Sequence, residues 1–240
     1  MKLEVFSDNE EMSAAAADQM LQQIKQNPHS VLCLATGETP KRTYQILVNR
    51  ILSEHINVSG LRVLALDEWW GIPPENPGSC HFFLHEYVFN PLRLSPAQRH
   101  VFNALARDEQ SECEAMDKFI REAGGIDLMV VGIGVNGHVG FNEPGVDEQL
   151  YAHVIELDST TQIIGQKYFD QQLELKKGIT LGLAHFFESR KVLMLANGQK
   201  KASIIARALK DEISNQVPAT FMRKHTNATM LLDREAALLL

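Results

Sequence analysis

Apolar residues fall into short blocks separated by polar, helix-patterned stretches. Residues 30–34, 61–66, 126–131, 191–196 and 228–233 are nearly continuous apolar runs, rich in Val, Ile, Leu and Met. Runs of that length bounded by polar turns predict strands buried on both faces, as in a parallel sheet. Residues 2–6 and 154–157 predict two more strands, and 177–183 a strand with a turn. Between them the apolar spacing widens to the helical period. Ser7 with Glu10 forms a capping box for a helix to about Gln26, which Asn27-Pro28 ends. Thr39 as cap and Pro40 in the first turn open a helix through Tyr44, Leu47 and Ile51. Further helices are predicted over 79–90, 108–122, 159–170 and about 200–210, with a short one at 218–220 and a terminal one over 234–240. Residues 92–106 are weakly patterned, with Val101-Phe102 as a short strand. The alternation of strand and helix, without repeat, low-complexity stretch or linker, predicts one α/β domain over 1–240 built on a doubly wound, mostly parallel open sheet.

Composition narrows the function. The chain has 240 residues, 45% hydrophobic and 22% charged, with a formal charge of −7, an ordinary globular balance. The acidic excess argues against nucleic acid or an anionic membrane as partner, since either calls for a basic face. Cys33, Cys80 and Cys113 make an odd count without zinc-ligand spacing, which fits a reducing cytoplasm rather than a disulfide framework. The first residues, Met1 to Glu11, carry neither a signal-peptide nor a spanning pattern. Self-association is left open.

The strand at 126–131 empties into Gly132-Ile133-Gly134-Val135-Asn136-Gly137-His138-Val139-Gly140-Phe141-Asn142-Glu143-Pro144-Gly145. This loop carries an imidazole, a carboxylate and two amides at the carboxyl end of a strand, where open α/β sheets bind ligands. Its glycines fit a dinucleotide-binding fingerprint. That motif needs a helix opening at the third glycine, however, and Gly140, Pro144 and Gly145 break any helix here. We therefore expect no nicotinamide or flavin cofactor. His138 can exchange protons near neutrality, Glu143 can orient it, and Asn136 can hold one imidazole nitrogen through its amide oxygen. No second histidine or cysteine stands near His138 at ligand spacing, so no metal is expected.

Two other strand ends face the same level. Asp67-Glu68 follows the run at 61–66, where Asp67 can serve as a separate base or merely cap a turn. Ala35-Thr36-Gly37-Glu38-Thr39-Pro40 joins a strand to a helix, and reads either as a phosphate cradle of free N–H groups and hydroxyls or as an ordinary capped turn. Lys200 or Lys201, at a later helix start, can face an anion there or lie in solvent.

In order and spacing, residues 35–40, Leu66-Asp67-Glu68-Trp69 and 132–145 resemble the amino-sugar-6-phosphate deaminase/isomerases. Gly198-x-x-Lys201-Ala202 and Pro218-Ala219-Thr220 extend the resemblance over the whole chain. It implies the modified Rossmann sheet of glucosamine-6-phosphate deaminases and phosphogluconolactonases, an amino-sugar phosphate as substrate, and no cofactor. It further implies that Asp67 carries a proton between C2 and C1 of the opened sugar, and that His138, positioned by Asn136 and Glu143, opens the ring. Thr36, Gly37, Thr39 and Lys201 would hold the 6-phosphate. Lys167 stands where many members have arginine, offering a point charge in place of a bidentate fork. Asp67-Glu68-Trp69, Pro77-Gly78-Ser79-Cys80 and residues 177–183 look most like the galactosamine-6-phosphate branch, glucosamine-type enzymes usually showing Asp-Glu-Tyr. His153-Val154-Ile155 replaces an Arg-x-Lys pair of the longer, allosteric deaminases, implying no activation by N-acetylated sugar phosphate. The alternatives are a 6-phosphogluconolactonase-type hydrolase, which has no use for Asp67 or Glu143, and a non-catalytic sugar-phosphate-binding protein.

Overall fold

The strands are β1 (Lys2–Phe6), β2 (Val31–Leu34), β3 (Arg62–Ala65), β4 (Asp67–Trp69), β5 (Arg99–His100), β6 (Leu128–Val131), β7 (His153–Glu156), β8 (Lys177–Thr180), β9 (Val192–Ala196) and β10 (Ala228–Asp233) in a computed structural model that describes Met1–Leu240. The helices are α1 (Asn9–Gln26), α2 (Glu38–Ser53), α3 (Cys80–Leu84), α4 (Glu109–Glu122), α5 (Ser159–Gly165), α6 (Leu183–Glu188) and α7 (Ala202–Lys210). Seven strands form one sheet in the order β1-β10-β9-β6-β2-β3-β5, every neighbouring pair parallel.

Both faces of this sheet are apolar, which is why its strands read as unbroken hydrophobic runs. Cys33, Leu64, Met129, Val131 and Met194 point into the larger core with α4, α6 and α7. Leu32, Leu34, Val63, Val130 and Leu193 point the other way, onto α1 and α2. Each fully buried Leu, Val or Met contributes about 1.5–3 kcal/mol. No helix is long and apolar enough to cross a membrane.

The strand order creates the crevice. From β2 the chain moves outward through β3 to β5, then returns to lay β6 on the other side of β2. The connection after β2 enters α2 on one face, whereas the loop after β6 sends Ile133, Val139 and Val146 into the opposite core. The carboxyl ends of β2 and β6 therefore part, as at a topological switch point.

A second, three-stranded antiparallel sheet, β4-β8-β7, was not foreseen. Leu66 is the junction: its N–H donates to Leu34 O at 3.1 Å in the main sheet, and its carbonyl accepts from Leu181 N at 2.9 Å in the second. Asp67 thus lies both at the end of β3 and at the start of β4.

Other expectations are corrected locally. The cap of α1 is Asp8, accepting from Glu11 N at 2.9 Å, one residue later than Ser7. α2 starts at Glu38 behind Gly37, so Thr39 is inside the first turn and does not cap it. The helix over 79–90 is α-helical only to Leu84, then π-helical over His85–Phe89. Pairing near 101 falls on Arg99–His100, while Phe102 is buried beyond it. α5 ends at Gly165, where a Cβ would meet the Trp69 ring at 2.5 Å, and a 3-10 turn, Gln166–Tyr168, follows. Residues 234–240 form turns, since only Ala236 among them is buried and so short a segment has no packed face to stabilise a helix.

Candidate active site

A cleft of about 430 Å³ opens at the parted ends of β2 and β6 and is lined by Thr36, Gly37, Thr39, Asp67, Asn136, His138, Lys167 and Lys201. Eight of the nine residues that the resemblance assigns to the site therefore line one cleft, and Glu143 stands behind it on His138.

Asp67 is buried at the cleft floor. Burial, and then the charge of Glu68, pushes its carboxyl up to about 7, against a hydrogen bond from Cys80. That thiol donates to Asp67 Oδ1 at 3.5 Å and accepts from Thr36 Oγ1 at 3.0 Å. Glu68 turns away and accepts from the backbone N–H groups of Trp69, Cys80 and His81 at 2.8, 2.9 and 2.7 Å, holding the start of α3. Its burial still raises it to about 7. A carboxyl that titrates near neutrality inside a cleft is a proton acceptor matched to physiological pH.

On the β6 side, Glu143 Oε2 lies 3.3 Å from His138 Nδ1 and accepts from Asn136 Nδ2 at 2.8 Å. Burial would raise Glu143, but hydrogen bonds from His138, Thr161 and Asn136, with the imidazole's charge, hold it below its usual value. Thr161 Oγ1 is 3.1 Å from the same Nδ1. The carboxylate therefore keeps the proton on Nδ1 and leaves Nε2 to exchange another. Asn136 does not hold the ring as expected: its Oδ1 accepts from the His138 backbone N–H at 3.2 Å, and its amide orients Glu143. Its effect on the imidazole is one step removed, because the loop turns Asn136 under His138. The glycines of the loop are followed by turns and no helix, so the structural context of a dinucleotide fingerprint is missing.

The other end of the cleft is built on α2. Gly37, at φ +105°, is its N-cap and has no side chain to cap the first N–H groups of the helix, and residues 36–41 line the cleft. Thr39 Oγ1 donates to Asn197 Oδ1 at 2.6 Å. Lys201 Nζ donates to Ile133 O at 2.5 Å, and burial, then the charge of Lys167, lowers it to about 8. Two lysines converging without a carboxylate partner suit a dianion. No three His, Cys, Asp or Glu side chains gather as metal ligands would.

Cys80, Thr161 and Tyr168 also belong to the site and were missed. They lie at the first residue of α3, in α5 and in the 3-10 turn after it, none of which marks them in sequence; only the tertiary fold brings them to the cleft.

Comparison with known proteins follows the same outline. A family model described as glucosamine-6-phosphate isomerases/6-phosphogluconolactonase matches residues 7–231. Glucosamine-6-phosphate deaminase of Thermoanaerobacter pseudethanolicus is 37% identical over 241 aligned positions, covering 100% of this chain and 95% of the relative. The Halothermothrix orenii enzyme of the same name is 36% identical, with 100% of both covered. The structure of a monomeric glucosamine-6-phosphate deaminase superposes with a TM-score of 0.96 at 34% identity over 100% of both chains. A 6-phosphogluconolactonase from Trypanosoma brucei shares the fold, with a TM-score of 0.78 at 22% identity and coverage of 100% and 98%.

Proposed function

The chain belongs to the glucosamine-6-phosphate isomerase/6-phosphogluconolactonase family, and from that premise we propose that it converts a 2-amino-2-deoxyhexose 6-phosphate and water into the ketose 6-phosphate and ammonia. One observation carries the proposal: a buried carboxyl near neutral pKa and a Glu-supported imidazole face one cleft whose far end gathers α2 and two lysines. Lactone hydrolysis has no carbon acid for Asp67 to deprotonate.

The phosphate binds at the N-terminus of α2, with Thr36, Gly37, Thr39, Lys167 and Lys201 around it. His138 Nε2 takes the proton from the anomeric hydroxyl and returns one to the ring oxygen, opening the pyranose, while Glu143 stabilises the transient imidazolium. Asp67 then removes the C2 proton of the aldehyde while the amino group gives a proton to O1, forming the enolamine, and Asp67 returns its proton to C1, leaving an imine at C2. Water adds to that carbon and ammonia departs. The scheme calls on no metal or organic cofactor, and three free cysteines support a reducing compartment such as the cytoplasm.

The loop glycine beside His138 offers a local test. A Cβ at Gly134 would lie 2.5 Å from His138 Nε2, and Gly134 is outside the left-handed region, so alanine suits its backbone but displaces the ring. Gly134→Ala is expected to lower turnover roughly 10- to 100-fold with an unchanged melting temperature. Unchanged turnover would mean that the ring position is not critical.

For the epimer, Asp67-Glu68-Trp69, where glucosamine-type enzymes usually show Asp-Glu-Tyr, supports galactosamine 6-phosphate over the glucosamine compound. Trp69 lines the cleft beside Asp67, its ring packed against Phe141 and Phe169 at centroid distances of 4.7 and 5.9 Å. Ammonia release measured with each substrate is the test. Faster turnover of the galactosamine compound is expected. A preference for glucosamine keeps the reaction and overturns the epimer, and no ammonia from either overturns the deaminase reading.

A further inference from the structure

At the phosphate end most donors are already engaged: Thr36 with Cys80, Thr39 with Asn197 and Lys201 with the Ile133 carbonyl. Tyr168 is different. It closes the 3-10 turn after α5 and lines the cleft. Its Oη stands 3.1 Å from where a Gly37 Cβ would be, directly over the uncapped start of α2. Its backbone packs closely on Gly78, where an added Cβ would lie 2.6 Å from the Tyr168 carbonyl. Burial, then the charges of Cys80, Glu38 and Asp67, push the phenol up to about 12, and no hydrogen bond contributes. The hydroxyl is thus a protonated donor with no protein acceptor. Lys167 Nζ sits over its ring at 4.8 Å, so cation and hydroxyl form one unit facing α2.

We propose that the Tyr168 hydroxyl binds the substrate phosphate, donating to a terminal oxygen from the wall opposite α2 while Lys167 and Lys201 supply charge. The inference rests on the amino-sugar-phosphate reading and deepens it: Lys167 gives a point charge without direction, and the phenol O–H supplies the direction.

Tyr168→Phe removes one oxygen and keeps the packed ring. Calorimetric titration with inorganic phosphate, beside steady-state kinetics on the amino-sugar phosphate, is expected to show Kd and KM raised about tenfold, the worth of a hydrogen bond to a charged group, with kcat within about twofold. Equal phosphate affinity and KM in wild type and variant overturn the role of Tyr168 and leave the deaminase reading standing. An equal loss of affinity for the amino sugar lacking its phosphate shows a shape effect and likewise overturns it. A wild-type protein that neither binds phosphate nor releases ammonia overturns the functional reading and this inference together.

Discussion

Asp67→Asn is expected to lower ammonia release by roughly a thousandfold, within the 10²- to 10⁴-fold range of a positioned acid/base group. The amide fills the same space but accepts no proton from C2, so the loss falls on kcat and leaves KM nearly unchanged. The wild-type profile of kcat/KM should rise through about pH 7, where Asp67 loses its proton, and fall above about pH 8 as Lys201 loses its charge. Stability moves the other way. Because the folded-state pKa lies above the unfolded value near 4, Asp67 favours folding most when protonated. Its contribution is complete below about pH 4, declines as pH rises through about 7, and then levels. Asparagine stays neutral throughout, so the variant should melt no lower than wild type at pH 8. An inactive variant that also melts well below wild type would point to a structural part for Asp67, and near-normal turnover would remove it from the mechanism.

The Asp67 result bears on what the sequence alone can reveal. The strand at 126–131 and the loop behind it were legible because a two-sided buried strand must be apolar and a loop offering His138 and Glu143 must break with glycine and proline. Gathering Thr36, Asp67 and His138 followed from one rule, that parallel strands end on one side. What was not legible required knowing neighbours. Leu32 and Cys33 face opposite cores although both are apolar, so no periodicity separates them. β4 is three residues long, and its pairing with β8 depends on Leu66 bridging two sheets, a feature of backbone geometry without side-chain signature. The spacing of two points Asn136 at the imidazole, but the turn directs its amide to Glu143. Gly165, the last residue of α5, must stay glycine because the Trp69 ring, nearly a hundred positions earlier in the chain, occupies the place of a Cβ.

His138→Gln is the second large effect, and an isotope measurement gives it a meaning that a lost rate alone would lack. Glutamine keeps a polar group beside Glu143 but cannot pass a proton between the anomeric and ring oxygens, so kcat/KM should fall by about 10²- to 10⁴-fold. The residual rate then draws on sugar that opens unaided, and opening, which breaks no C2–H bond, becomes limiting. With substrate deuterated at C2, His138→Gln should show an isotope effect near unity. Asp67→Glu keeps a base but misplaces it, which slows proton removal and should express a clear isotope effect on the same substrate. The contrast separates the two steps. A full isotope effect in His138→Gln would show that the imidazole acts at or after C2 deprotonation, and the ring-opening assignment would fall even if the loss of rate matched expectation. Glu143→Gln belongs on the same side as His138→Gln, with a smaller loss, because the ring remains while its Nδ1 proton and the developing imidazolium lose the carboxylate that supports them.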